Sequence, residues 1–200
     1  MAGFGILCVC TGNVCRSPVA ERLLAHALGA DGVRVTSAGT DAPEDEPMAP
    51  EMAGLLAARG IDAAGHHSRR LTEADLRDAA LVLGMTVGHR SRAVELAPAA
   101  LRRSFTLTEL AAIARLVPAA DLDETASDAT PSGRLKALVD LAARYRGTAV
   151  HTDIDDPIGR DGATYSRVFS EIADAVATIV DVVAAGSGVS AEPGTPVPRG

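Results

Sequence analysis

The chain is short of cysteine, lysine and aromatic residues, and each shortage closes off a class of protein. Its three cysteines, Cys8, Cys10 and Cys15, crowd into one short stretch. Cysteines placed this way cannot staple a small secreted fold, so a reducing, cytoplasmic setting is expected. One lysine, Lys136, stands among the arginines, and the formal net charge is −7. With no basic stripe, nucleic acid is not an expected partner. No apolar run is long enough to span a bilayer, which argues against a membrane partner. The first apolar run lacks the basic region that precedes it in a signal peptide. No internal repeat is present. No His, Cys or carboxylate cluster has metal-ligand spacing, so neither metal nor other cofactor is expected.

What the chain does have is core-forming material. Of its 200 residues 47% are apolar, enough for one domain that buries about 70% of its unfolded surface. Residues 1–186 read as that domain. Residues 187–200, rich in Gly, Pro and Ser, read as a disordered tail. Short apolar runs at 4–9, 33–37, 81–85 and 104–107 predict strands. Helical spacing predicts a helix opened by Ser17 as N-cap and Pro18 in its first turn, and closed by Gly29. Further helices are expected over 49–59, 73–78, 87–96 and from near Ala163 to Ala184. Such alternation predicts an α/β fold: a single-domain doubly wound four-stranded parallel sheet flanked by helices. Ligands bind such sheets at the carboxyl ends of the strands. Residues 116–152, with Asp121, Asp123, Glu124 and Asp128 and an amphipathic stretch over 132–146, fit least. They read as an insertion that places a helix beside the site described next.

Residues 8–18 run Cys-Val-Cys-Thr-Gly-Asn-Val-Cys-Arg-Ser-Pro, between a strand-like run and a helix-like one. Backbone amides of such a loop converge on one point, and the helix that follows aims its positive end there. Thr11, Gly12, Asn13, Val14, Cys15 and Ser17 would form an anion-binding loop, a phosphate being the best fit. Cys10 lies six positions before Arg16, and the same field favours its thiolate. Asn13 suits the left-handed backbone that turns amides inward.

The run Cys10–x5–Arg16–Ser17–Pro18, with Gly12, Asn13 and Cys15 in place, resembles the low-molecular-weight protein tyrosine phosphatase family. The resemblance covers about residues 4–110 and 150–185. It implies a phosphatase acting on a phosphorylated protein and releasing inorganic phosphate. Cys10 would be the nucleophile, Arg16 the phosphate clamp and Asp156, in Asp156-Pro157, the general acid, with Asp153, Asp155 and Asp161 as competitors. Pro157 restricts the residue before it and so helps aim Asp156. Ser17 would donate to the Cys10 sulfur, and Ser37 and His66 would brace the loop. Cys15 would protect the nucleophile by forming a disulfide with it.

Ile158 and Gly159 follow Asp-Pro where phosphotyrosine enzymes of this type carry an aromatic wall, and the acidic loop 41–47 has no ring either. Tyr165 is the candidate replacement. Phosphotyrosine is the expected substrate, phosphoarginine the alternative, and an idle phosphate-binding module the rival outside enzymology. The resembling arsenate reductases need cysteines downstream of Cys15, and none is present.

Overall fold

A computed structural model describes residues 3–150 and 152–185. The reading of 187–200 as a tail falls outside the described residues. Four parallel strands, β1 (Phe4–Cys10), β2 (Val33–Gly39), β3 (Leu81–Gly84) and β4 (Ser104–Thr106), pair in the order β2-β1-β3-β4. Eight α-helices connect and cover them among the described residues: α1 (Arg16–Leu28), α2 (Pro50–Ala57), α3 (Glu73–Asp78), α4 (Val87–Leu96), α5 (Leu107–Leu116), α6 (Ala119–Thr125), α7 (Pro131–Ala142) and α8 (Gly162–Ala184). The expected doubly wound α/β sheet is therefore the fold.

β1 shows why both faces are covered. Side chains alternate across a strand. Ile6, Cys8 and Cys10 join a large cluster with Val19 and Leu24 of α1, Met52 of α2, Leu110 of α5 and Ile172 of α8. Leu7 and Val9 enter a smaller one with Leu76 of α3 and Ala93 of α4. A strand buried on both sides reads as an unbroken apolar run, which is how it looks in sequence. Because the chain leaves β1 for β2 and then crosses back to β3, the end of β1 lies at a topological switch point. Cys10 is the last residue of that strand.

Three local expectations need correction. α1 begins at Arg16 after Cys15 and has no side-chain cap; the Ser17 hydroxyl is used elsewhere, as described below. Leu107 does not end a strand. It opens α5, where Thr106 and Glu109 form a capping box and Leu110, Ala111, Ile113 and Ala114 supply the buried face. The 116–152 segment contributes α6 and α7, and α7 does not lie beside the Cys10 loop. Lys136, Val139 and Asp140 of α7 share a cavity with Phe4 and Ala80, at the opposite, amino-terminal edge of the sheet. Arg134 holds the helix there. It is buried, pairs with Asp123 and donates to the Val182 carbonyl near the far end of α8 (3.1 Å).

Candidate active site

The loop between β1 and α1 is a cup whose floor is the Cys10 sulfur. Ser17 Oγ lies 3.0 Å from Cys10 Sγ, and the Asn13 backbone N–H donates to the same sulfur at 3.3 Å. Both groups stabilise negative charge at sulfur. Asn13 takes φ 53, the left-handed conformation that Asn tolerates better than most residues. That turn is locked from three sides. Asn13 Nδ2 donates to Ser17 Oγ (3.1 Å) and to Ser37 Oγ (2.8 Å), and Oδ1 accepts the Arg69 N–H (3.0 Å). Ser37 Oγ in turn donates to Glu21 Oε2 at 2.5 Å. His66 Nε2 lies 2.7 Å from the Asn13 carbonyl. With Ser17 turned to the sulfur rather than to the helix, α1 has no side-chain cap among the described residues.

Gly39 makes room for the loop. It pairs with Cys10 in the sheet register, and a Cβ there would sit 2.3 Å from the Thr11 carbonyl and 3.0 Å from the Asn13 nitrogen. Gly12 and Val14 are half-buried, and the Val14 carbonyl accepts the Ala49 N–H at 2.8 Å. Burial drives the Cys15 thiol up to about 12, and the Cys10 and Asp156 charges add to it. Cys15 therefore stays protonated while Cys10 is flanked by donors. All three cysteines are free.

Arg16, the first residue of α1, is 4% exposed. Its Nη1 donates to the Ile154 carbonyl (3.2 Å) and its Nη2 to Asp156 Oδ2 (2.5 Å). Its Nε is buried without a protein acceptor among the described residues. A buried donor of this kind is costly unless something accepts from it, and an oxyanion in the cup is suited to do so. Asp156 is half-exposed across the opening. The other acids of this segment are engaged elsewhere. Asp153 accepts the Val87 N–H at the start of α4 (2.8 Å), Asp155 pairs with Arg167 (2.8 Å), and Asp161 caps α8. The segment returns to the sheet through the Ile154 N–H, which donates to the Met85 carbonyl (3.0 Å).

Two neighbours were not found from sequence. Glu21 stands behind Ser37, one turn along the helix from Ser17. His89, buried in α4, lies 2.9 Å from Thr11 Oγ1 and 2.8 Å from Thr86 Oγ1. Burial first, then the Arg16 charge, lowers its pKa to about 4. The Thr86-x-x-His89 spacing at a helix start was the available signal.

The rim is acidic and has no ring from Tyr165. That tyrosine is buried, and burial raises its pKa. Ile158, half-exposed, follows the Asp-Pro pair. Two acids of the 41–47 loop are matched by neighbours: Asp41 pairs with Arg70 (3.3 Å) and Asp45 with His67 (2.8 Å). Such exposed pairs contribute about 0–1 kcal/mol. Among the described residues no cluster of His, Cys, Asp and Glu is arranged to hold a metal ion, and no helix is long and apolar enough to cross a membrane.

A doubly wound sheet with a cysteine closing its first strand, and a buried arginine opening the next helix in contact with a carboxylate 140 residues away, places the chain among the doubly wound α/β proteins. Within that class, the chain belongs to the low molecular weight phosphotyrosine protein phosphatase family, whose profile matches residues 5–115. The low molecular weight protein-tyrosine-phosphatase Etp of Escherichia coli K12 is 41% identical over 93 residues, 46% of this chain and 62% of the relative. The chain thus spans less than two thirds of that relative's length. A protein-arginine-phosphatase of Geobacillus stearothermophilus is 42% identical over 106 residues, 53% of this chain and 70% of its own. Among solved structures, YwlE arginine phosphatase from Geobacillus stearothermophilus superposes with a TM-score of 0.66 at 29% identity, covering 89% of this chain and 91% of that one.

Proposed function

We propose that the protein hydrolyses a phosphorylated protein through a phosphocysteine intermediate, with phosphotyrosine as substrate. The observation that carries this reading is the Cys10 sulfur, held between the Ser17 hydroxyl and the Asn13 amide, with a buried Arg16 at the end of the same loop whose Nε has no acceptor among the described residues. In the first step Cys10 thiolate attacks phosphorus and forms the P–S bond as the P–O bond to the leaving group breaks. Asp156, protonated, gives its proton to the departing oxygen. Arg16 and the loop amides follow the equatorial oxygens, whose charge is spread in the transition state. In the second step Asp156 takes a proton from water as that water attacks phosphorus. The P–S bond then breaks, inorganic phosphate leaves, and the Ser17 hydroxyl stabilises the returning thiolate. Thr11, Gly12, Asn13, Val14, Cys15 and Ser17 bind the phosphoryl group, while Ser37 and His66 keep the loop in shape. The domain is residues 1–186, with 116–152 inserted, and the crowded free cysteines fit a cytoplasmic setting.

Phosphoarginine is the second reading. It is favoured by an acidic rim lacking a buried-in aromatic wall and by similarity to a relative named protein-arginine-phosphatase. Hydrolysis rates on phosphotyrosine, phosphoarginine and phosphoserine peptides decide between them. Phosphotyrosine should be fastest. A faster phosphoarginine rate selects the second reading, and no turnover of any peptide selects the idle module. Because Arg16 supplies the charge at phosphorus, chelation by EDTA should leave the rate unchanged.

A further inference from the structure

His89 is a buried ring beside the site that the chemistry above leaves without a task. Its two nitrogens meet two hydroxyls, Thr86 Oγ1 at Nδ1 (2.8 Å) and Thr11 Oγ1 at Nε2 (2.9 Å). The roles along this chain follow from Thr86. As N-cap of α4, Thr86 Oγ1 accepts the backbone N–H of His89 itself (3.2 Å). The hydroxyl keeps a second lone pair, but its hydrogen has no acceptor other than His89 Nδ1 among the hydrogen bonds of the described residues, so the arrangement that satisfies every group has Thr86 donating to Nδ1. Nδ1 is then the acceptor, so the ring proton of the neutral imidazole sits on Nε2. Nε2–H donates to Thr11 Oγ1. Thr11 must accept, and its own hydrogen is left for a third group.

Thr11 directly follows Cys10 and is exposed at the mouth of the loop, with its carbonyl tied down by the Asp41 N–H (3.0 Å). We propose that His89 is a positioning residue that fixes Thr11 as a hydrogen-bond donor to a non-bridging oxygen of the phosphoryl group. This rests on the phosphate reading of the loop given above. The neutral ring is part of the device. A protonated ring would need an acceptor at Nδ1 as well, and the Thr86 hydrogen would then lose the nitrogen that accepts it. Burial and the nearby Arg16 charge keep the ring neutral.

The test combines four single variants and one double variant with three readouts. Thr11→Val should lower kcat/KM on p-nitrophenyl phosphate about tenfold to a hundredfold, the range for a hydrogen bond to a charged group. His89→Leu should lower it by a similar factor in the wild-type background, but by under about threefold when Thr11 is already Val. His89→Gln, whose amide N–H can reach Thr11, and Thr11→Ser should each recover most of the activity. A loss of less than about twofold in Thr11→Val overturns the proposal, as do losses that multiply in the double variant, since His89 would then act through the fold alone. Calorimetric titration with inorganic phosphate separates this outcome from the fate of the catalytic reading. If the wild type turns over no phosphate ester but binds phosphate, a tenfold weaker affinity in Thr11→Val supports the donor role and an unchanged affinity rejects it. Nitrogen-15 NMR of the wild-type imidazole should find the proton on Nε2; a proton on Nδ1 rejects the proposal whatever the activity.

Discussion

Ser17 carries information at two levels that the sequence presents as one. A serine before a proline reads as a helix cap, yet its hydroxyl is 3.0 Å from the Cys10 sulfur and the helix starts one residue earlier. The local rule lost because a donor to sulfur is useful only if the cap is given up. Cys10, Arg16 and Asn13 could be read from their spacing and Asp156 from the family resemblance, and the structure brings Arg16 and Asp156 into contact. His89 and Glu21 were not, since a lone His near a helix start and a lone Glu inside a helix are commonplace. Two outcomes are expected at this scale. Cys10→Ser should cut turnover by about 10³-fold or more while inorganic phosphate still binds, measured by rate assay and titration. Asp156→Ala should cut it by about 10²- to 10⁴-fold, more on phenyl phosphate than on p-nitrophenyl phosphate, whose leaving group needs no proton. Asp153→Ala should instead weaken the start of α4, where that carboxylate accepts the Val87 N–H.

Elements whose periodicity was unmixed came out close to expectation: α3 and α4 span the residues read from sequence, and α8 begins within a residue of its expected start. α5 was legible but overlooked, because Thr106 and Glu109 cap it in the same few residues that also spell the last strand. The place of α7 was not legible at all, since an amphipathic stretch says which face is buried but not against what. Ile179 on α8 is fully buried against the main core, so Ile179→Ala should cost about 2–5 kcal/mol in urea unfolding. The first turn of α4 gives a pH signature. His89 is held at about 4 against an ordinary 6.5. Below pH 6.5 the unfolded chain takes a proton that the folded chain refuses, so this contribution to stability is whole above 6.5, falls as pH drops toward 4, and levels off below. Comparing unfolding free energies of wild type and His89→Gln between pH 7 and 4 should show the steeper decline in the wild type.

On the scale of the whole molecule, the sheet brings together groups that are 140 residues apart in sequence, Arg16 and Asp156, and it does so at the one edge where strand ends and a helix start coincide. α7 packs at the other edge, where Lys136, Val139 and Asp140 share a cavity with Phe4 and Ala80. Of the chain's five aromatic residues, Phe105, Tyr165 and Phe169 are buried in the core. Hydrolysis by the proposed route requires that phosphorus bond to sulfur. Rapid acid quenching of Asp156→Ala during turnover of p-nitrophenyl phosphate, followed by peptide mass mapping, reads this directly. One added phosphoryl group on the peptide bearing Cys10, and specifically on that thiol, is the predicted result. Full turnover with an unmodified Cys10, or a phosphoryl group found on another residue, would contradict it.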